Sequence, residues 1–382
     1  MMIDRPFWRQ RLEDAWREAP IAWLCGVRRS GKTTLAESFG PDHILYVNCD
    51  LPVTEDRVGD PEFFFRSASA PIVVFDEVHQ LREPARLLKV GADRFPHLKI
   101  LATGSSTLAA SRKFRDTLAG RKRVVHLLPA LWDELPAFGV SIHERLFRGG
   151  LPDALLAGAR RPALYREWID SFFARDIQRL FGFRDMNRFN TLFEYLIRQS
   201  GGVFEATRFA RDCEASRTTI TNYIAVLEAT FIAHVVRPFS SRRSTEIISV
   251  PKVYAFDTGF VCHYRGWDTI RSDDLGVLWE HFVLNEFHAR LQSRDIRYWR
   301  DKRQHEIDFV MQRRGKPPTA IECKWSADGF DARNLAAFRL IYPRGENFVV
   351  CQDVQRPYRR TVAGLDLEFV GLEGLIARLQ AR

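Results

Sequence analysis

The sequence lacks the features that mark membrane proteins and disulfide-stabilised secreted proteins. It has no apolar run close to the roughly 20 residues that span a bilayer, and its start, Met1 to Arg5, has no apolar secretory segment. The six cysteines are scattered without a Cys-x-x-Cys pair, which excludes the common zinc and redox motifs. We therefore expect a cytoplasmic protein that has free thiols and no membrane partner.

The composition is that of a folded protein with an excess of positive charge. Hydrophobic residues make up 46% of the 382 positions, and this length favours two or three domains. Lys and Arg number 57 against 48 Asp and Glu, which gives a formal net charge of +9. Positive charge attracts polyanions, so DNA is a candidate partner, although many basic proteins bind none. Motifs have to decide between these alternatives.

A glycine-rich loop joins a predicted strand, residues 21–25, to a predicted helix, residues 33–39. The loop GVRRSGKT at positions 26–33 has the spacing of a phosphate-binding loop, in which backbone N–H groups point at phosphate oxygens. Lys32 should reach the β- and γ-phosphates, and the Thr33 hydroxyl should bind Mg²⁺. We therefore predict an ATP site, with contacts from Gly26, Arg28, Arg29, Ser30, Gly31, Lys32, Thr33 and Thr34.

Two carboxylates follow a second apolar strand, residues 71–75. Downstream of a phosphate-binding loop, such a pair is a Walker B motif, whereas alone it is usually a cap or a solvated turn. We expect Asp76 to hold Mg²⁺ through water and Glu77 to polarise the attacking water as the base. These residues predict hydrolysis of ATP in addition to binding.

Two further positions are candidates for contacts to the γ-phosphate. A third strand, residues 99–103, ends in hydroxyl side chains, and we favour Ser105 as a sensor, with Thr103 as the alternative and a simple turn as the other reading. Arg121 lies on a loop near the sheet edge, either as an arginine finger supplied to a neighbouring subunit or as part of a solvated basic turn.

Strands alternating with helices to about residue 130 predict a parallel sheet covered on both faces, followed by a helical lid.

The middle of the chain has the pattern of a winged helix. Residues 190–199, 204–213 and 218–231 read as helices, and residues 235–239 and 246–250 read as a β-hairpin. In DNA-binding versions the third helix enters the major groove and the wing touches phosphates, but the same fold also serves protein packing. The predicted DNA contacts are Arg217, Thr218, Thr219, Asn222, Arg242 and Arg243.

Charged residues occupy predicted strands near the carboxyl end. In Glu322-Cys323-Lys324 the period of two places Glu322 and Lys324 on one face, next to Asp308 if the two strands form a hairpin. The predicted helix 275–291 adds Glu280 on its apolar side. Such acids beside a lysine can bind a hard cation and orient a metal-activated water against a phosphodiester. Alternatively the charges pair as a buried salt bridge in a module for DNA binding or assembly.

Nearly the whole chain resembles a prokaryotic family of AAA+-type P-loop ATPases that carry a C-terminal PD-(D/E)XK nuclease-like domain. The resemblance implies an α/β fold with an ATPase core and lid (1–160), a winged-helix connector (161–250) and a nuclease-like domain (251–382). AAA+ kinship implies a ring-shaped homo-oligomer, with a hexamer favoured. The motifs that carry it are GVRRSGKTT (26–34), VFDEVH (74–79), TGSS (103–106), LAGR (118–121), PKVYAFDTG (251–259), EID (306–308) and IECK (321–324).

Three functions are compatible with these sequence features. The leading hypothesis is an ATP-hydrolysing protein that remodels or translocates duplex or branched DNA in repair or recombination. The alternatives are a nucleotide-gated, Mg²⁺-dependent defence nuclease and a nucleotide-dependent signalling switch in which the nuclease fold is structural.

Overall fold

The computed structural model describes residues 3–105, 118–177, 185–240 and 250–380. They form two compact units. The first contains described residues of 1–142, 150–186 and 225–232, and the second contains those of 143–149, 187–224 and 233–382. The division at residues 160 and 250 stays a prediction. Within the described ranges, no helix is long and apolar enough to cross a membrane.

The amino-terminal half alternates strands with helices as the sequence predicts. A single π-helical turn, Phe172–Ile177, follows the last of its helices. The strands are β1 (Ile21–Gly26), β2 (Ile44–Asn48), β3 (Ile72–Asp76), β4 (Lys99–Ser105) and β5 (Lys122–Leu127). The helices are α1 (Pro6–Glu18), α2 (Lys32–Glu37), α3 (Pro52–Arg57), α4 (Pro61–Arg66), α5 (Pro84–Arg94), α6 (Leu135–Phe138), α7 (Ile142–Arg148), α8 (Pro152–Leu156) and α9 (Pro162–Ser171).

The first unit is built on a parallel sheet with the strand order β2-β3-β4-β1-β5. Strands β1 and β3 are buried along their whole length, which is the reason they read as continuous apolar runs. Because all strands run in the same direction, the loop after β1 and the acids after β3 lie at one edge of the sheet. Strand β4 separates β1 from β3, so its end lies between these two groups.

The carboxyl-terminal half contains a longer set of elements. Its strands are β6 (Gly202–Val203), β7 (Ala233–Pro238), β8 (Lys252–Ala255), β9 (Arg297–Arg300), β10 (Glu306–Met311), β11 (Thr319–Lys324), β12 (Asn347–Cys351), β13 (Tyr358–Val362) and β14 (Leu365–Val370). Its helices are α10 (Met186–Arg198), α11 (Ala206–Asp212), α12 (Arg217–Ala229), α13 (Thr258–Tyr264), α14 (Ser272–Leu291), α15 (Arg333–Ile341) and α16 (Leu372–Gln380).

The second unit is built on a nine-stranded mixed sheet with the order β13-β14-β12-β11-β10-β9-β7-β8-β6. Its core includes Trp299, Ile307 and Phe338, which are fully buried. The predicted order of helix, three strands, helix and strand is present as α14, β9, β10, β11, α15 and β12. Most of the predicted hairpin strand 246–250 lies outside the described residues. The described antiparallel partner of β7 is β8, slightly farther along the chain.

Candidate functional site

The phosphate-binding loop has the geometry that its glycines predict. Strand β1 ends at Gly26, and helix α2 begins at Lys32, directly after Gly31 in the left-handed region at φ 92°. A Cβ at Gly26 would lie 2.5 Å from the Leu127 carbonyl oxygen, so only glycine fits beside β5. The predicted strand, loop and helix are therefore all present at this position.

A cavity of about 340 Å³ opens at the loop. The ammonium of Lys32 lies inside the loop, 3.1 Å from the Gly26 carbonyl oxygen and 3.3 Å from that of Val27. The volume falls in the usual range for small-ligand sites. The lining residues include most of the predicted ATP contacts and the predicted base, and they are Arg28, Arg29, Gly31, Lys32, Thr33, Thr34, Glu77, Pro152 and Asp153.

Asp76 is the meeting point of three hydroxyl groups. Thr33 donates a hydrogen bond to Asp76 Oδ2 at 2.9 Å, and Tyr46 donates to the same oxygen at 2.5 Å. Thr103 donates to the other oxygen, Oδ1. Thr33 and Asp76, the two predicted ligands, thus place oxygen atoms side by side, which is the donor chemistry that Mg²⁺ prefers. These residues fit a Mg²⁺ ion bound together with the phosphates.

Glu77 is held in an unusual backbone conformation, with φ 53° and ψ 45°. Its N–H donates to Thr103 Oγ1 at 3.0 Å, and its carboxylate lies 3.2 Å from His79 Nδ1. Burial raises the pKa of Glu77, while nearby Lys32 opposes that shift. Thr103, the alternative sensor, thus contacts both acids, whereas Ser105 ends β4 and its side chain is not among those described. The sensor role of Ser105 stays a prediction.

Two distant segments support the loop, and sequence reasoning missed both. Arg5 is buried and donates from Nη1 to the Ser30 carbonyl at 2.9 Å, while its Nε and Nη2 bind the Glu134 carboxylate at 2.6 and 2.9 Å. The indole N–H of Trp168 donates to the Arg28 carbonyl at 2.8 Å. The bonds of Arg5 to Glu134 and of Trp168 to Arg28 each join residues more than one hundred positions apart, so no local sequence pattern could reveal them.

Arg121 is paired within its own chain. Its Nε and Nη2 bind the two carboxylate oxygens of Asp93 at 2.6 and 3.0 Å. The pair lowers the pKa of Asp93 through this hydrogen bond. The proposed arginine finger stays a prediction, and any such role requires this pair to open.

The predicted acids and lysine of the C-terminal unit come together. The pairing of β10 with β11 matches Phe309 to Ile321, which sets Asp308 opposite Glu322 one step along. The Lys324 ammonium lies 2.9 Å from Glu322 Oε2 and 4.0 Å from Asp308 Oδ2. Burial raises the pKa of Asp308, and burial together with Asp308 raises the pKa of Glu322 to about 8. The hairpin prediction is confirmed by this register.

Glu280 meets a different lysine, which the sequence reasoning did not use. Lys252 on β8 lies 2.8 Å from Glu280 Oε1 and 2.8 Å from Glu306 Oε1, and the Tyr254 hydroxyl also donates to Glu280. Burial alone would lower the pKa of Lys252, but the carboxylates of Glu280 and Glu306 raise it above its usual value. Lys252 and Tyr254 both belong to the segment 251–259, one of the motifs that carry the family resemblance.

The residues of this cluster do not fit a divalent metal. In the part of the chain that the structure describes, no group of three or more His, Cys, Asp and Glu side chains is placed to hold a metal ion. Lysine, tyrosine and backbone donors engage each of the acids through at least one oxygen, as for Asp308, which accepts the Cys323 N–H at 2.7 Å, although the second oxygen of Glu322, Oε1, is buried without a hydrogen-bond partner among the described residues. The residues predicted for the nuclease site are therefore close together, but they are not arranged to bind a metal ion.

The predicted DNA-reading helix is present as α12. Ser216 caps it by accepting the Thr219 N–H at 3.0 Å, and the turn before it contains Glu214 at φ 50°. Arg217, Thr218 and Asn222 are exposed on its surface, whereas Thr219 is partly buried. Arg242 and Arg243 lie outside the described residues.

Comparison with protein families assigns the first part of the chain. Residues 18–135 match the model described as AAA domain. This part is an AAA-type P-loop ATPase domain. The matched range contains the whole loop, both acids of the Walker B motif and Arg121. Residues 140–271 and 275–366 match two models described as domains of unknown function, DUF8612 and DUF4143.

The similarity to individual relatives extends beyond the AAA domain. The uncharacterized proteins Mb2031c of Mycobacterium bovis and Rv2008c of Mycobacterium tuberculosis are each 28% identical over 378 residues, which covers 93% of this chain and 83% of the relative. Among solved structures, the Walker-type ATPase of Pyrococcus abyssi is 17% identical with a TM-score of 0.43, covering 69% of this chain and 96% of its own. Cdc6p from Pyrobaculum aerophilum is 13% identical with a TM-score of 0.29, covering 71% and 96%.

Proposed function

We propose that the AAA domain binds ATP with Mg²⁺ and hydrolyses it. The observation that carries this proposal is the convergence of Lys32, Thr33, Asp76 and Glu77 at one edge of the sheet, where Thr33 and Asp76 are already 2.9 Å apart. Phosphate binding by the loop, a pair of oxygen ligands and a carboxylate base are the parts that phosphoryl transfer to water requires.

Each side chain has a separate role in this proposal. Lys32 leaves the loop carbonyls to pair with the phosphates. Thr33 and Asp76 would hold a Mg²⁺ ion, which would neutralise charge on the phosphate oxygens. Glu77 orients a water and takes its proton, which its raised pKa and partly buried position favour. Thr103 keeps the two residues in position by donating to the Asp76 carboxylate and accepting from the Glu77 backbone N–H.

The test separates binding from hydrolysis. We expect Glu77→Gln to bind an ATP analogue with near-native affinity but to hydrolyse ATP about 10²- to 10⁴-fold more slowly, because only the base is lost. Lys32→Ala should lose binding itself. Glu83→Gln removes an exposed carboxylate of the same unit and serves as the matched control. Unchanged turnover in Glu77→Gln would remove Glu77 from the mechanism.

We further propose that hydrolysis is used to remodel or translocate DNA, duplex or branched. The support is chemical and geometric. The chain has a formal charge of +9, and α12 exposes Arg217, Thr218 and Asn222 after a capped turn. The order α10, β6, α11, α12, β7 and β8, with β8 between β6 and β7, supports the winged helix that the sequence predicts.

This proposal predicts that DNA stimulates ATP hydrolysis. We would measure turnover with duplex, forked and four-way DNA at low salt, where phosphate contacts are strongest. Arg217→Ala and Asn222→Ala should each reduce the stimulation without changing turnover in the absence of DNA. Arg17→Ala, an exposed arginine of α1, controls for charge. Turnover that ignores all three DNAs would instead favour the signalling switch, which predicts a protein partner.

A ring-shaped homo-oligomer, favoured as a hexamer, completes the proposal. In a ring, Arg121 would exchange Asp93 for the nucleotide of a neighbouring subunit. Native mass spectrometry with an ATP analogue reports the number of subunits directly. A chain that stays monomeric with the analogue at micromolar concentration would contradict both the ring and the finger.

A further inference from the structure

One lysine of the C-terminal unit lies between two carboxylates. The side chain of Lys252 is 4% exposed, and its Nζ lies 2.8 Å from a carboxylate oxygen of Glu280 and 2.8 Å from one of Glu306. A single ammonium thus bridges acids from helix α14 and strand β10. Bridging of two carboxylates by one small cation is the arrangement that divalent ions commonly adopt in proteins.

Glu306 and Glu322 each have a further cationic partner. Glu306 offers its second oxygen to Arg300 at 3.3 Å, and Glu322 pairs with Lys324 at 2.9 Å. The cluster then contains four carboxylates, Glu280, Glu306, Asp308 and Glu322, and three cations, Lys252, Arg300 and Lys324. Their formal charges sum to −1, so little uncompensated negative charge is left to attract a divalent ion.

We propose that the Lys252 ammonium replaces a divalent cation in this cluster, so that the native C-terminal unit binds no metal there and does not cleave phosphodiesters. The lysine comes from β8, outside the predicted helix, three-strand and helix order that carries the other acids. It therefore ties β8 to α14 and β10 through ion pairs. The unit acts as a structural or binding module.

Removal of the lysine should convert the cluster into a cation site. Without Lys252, the partly buried carboxylates of Glu280 and Glu306 lose the ammonium that bridges them, and a divalent ion with oxygen preference can take its place. The native protein, in contrast, should bind no divalent ion in this cluster.

The experiment compares Mn²⁺ binding by electron paramagnetic resonance in full-length chains without nucleotide. All chains carry Asp76→Asn, so that the ATP site contributes no metal. We expect no bound Mn²⁺ in the otherwise native chain or in Lys316→Ala, an exposed lysine that serves as control. Lys252→Ala should bind one Mn²⁺ and melt a few degrees higher when Mn²⁺ is at about 100 times its dissociation constant. Adding Glu280→Gln to Lys252→Ala should abolish this gain.

Three results would overturn the proposal. The first is Mn²⁺ bound by the otherwise native chain and lost in Asp308→Asn. The second is Mg²⁺-dependent DNA cleavage that is lost in both Asp308→Ala and Lys324→Ala. These two measurements need no Lys252 variant and hold even if Lys252→Ala fails to fold. The third is a folded Lys252→Ala chain that gains no Mn²⁺, because the lysine would then not be standing in for a cation.

Discussion

The buried pair between Arg5 and Glu134 supports the phosphate-binding loop, and its removal tests that support directly. Arg5 is 4% exposed and Glu134 is 3% exposed, and one arm of the guanidinium also holds the Ser30 carbonyl of the loop. Arg5→Met keeps much of the side-chain volume but removes the charge and every donor. Glu134 is then left as a buried carboxylate whose described donor is the Leu131 N–H at 2.8 Å.

The expected cost follows from this burial. Breaking a buried ion pair by removing one partner costs about 3–5 kcal/mol, because the remaining charge has no compensation. The double variant Arg5→Met/Glu134→Gln removes that charge, and the glutamine oxygen can still accept the Leu131 N–H. It should therefore recover part of the loss. ATP affinity should fall in both variants, since neither holds the Ser30 carbonyl.

Urea unfolding followed by tryptophan fluorescence measures the free energy, and an ATP-analogue titration measures the affinity. Arg123→Met is the matched control, because its pair with Glu18 is half exposed and should contribute only about 0–1 kcal/mol. If Arg5→Met costs no more than Arg123→Met, or if the double variant is no more stable than the single one, the argument from buried charge is wrong.

Three other variants test the site and the second unit. Tyr46→Phe removes a donor to Asp76 and should raise the Mg²⁺ concentration for half-maximal ATP hydrolysis several-fold while leaving ATP-analogue binding in EDTA unchanged. Gly26→Ala should abolish ATP binding in a folded chain, as measured by titration and circular dichroism, because its Cβ would lie 2.5 Å from a backbone oxygen of Leu127. Burial lowers the pKa of His281 to about 3, so between pH 6.5 and 3 the unfolded chain binds the extra proton and stability falls as pH falls. We expect the free energy of unfolding, measured with urea, to fall between pH 7 and pH 5 in both proteins. The fall should be smaller in His281→Gln than in the native protein by on the order of 2 kcal/mol.

Each of these has a clear contrary result. An unchanged Mg²⁺ requirement in Tyr46→Phe would show that Thr33 and Thr103 suffice to position Asp76. Normal ATP binding by Gly26→Ala would show that β5 yields to a Cβ. An equal loss of stability on acidification in native protein and His281→Gln would mean that this histidine is not kept neutral by burial.

The sheet of the first unit was predictable because its strands are buried on both faces. Residues 21–25, 71–75 and 99–103 read as strands in the sequence, and each falls almost wholly within an observed strand. The hairpin of β10 and β11 was predictable from alternation, which set Glu322 and Lys324 on one face. In contrast, β8 contains Lys252 and Tyr254, and a charged residue in a short segment gives no sign of burial without its partners.

The candidate site also contains residues that were predictable from the sequence and residues that were not. The eight residues of the loop are contiguous, so their chemistry is set by local backbone geometry and was readable directly. The Walker B acids were readable from a strand followed by two carboxylates. Thr103 entered only as an alternative, and Tyr46 did not enter at all, because their contacts to Asp76 depend on which strands are neighbours.

The sequence by itself determined the phosphate-binding loop of this protein and predicted ligands for Mg²⁺ and a base for water beside it. Only the tertiary structure decided which charges meet elsewhere. Lys252 pairs with acids 28 and 54 positions away, and Arg5 with one 129 positions away. Such pairs arise from the packing of strands and helices and leave no periodic trace in the chain, which is the physical reason that neither Lys252 nor Arg5 entered the predicted sites.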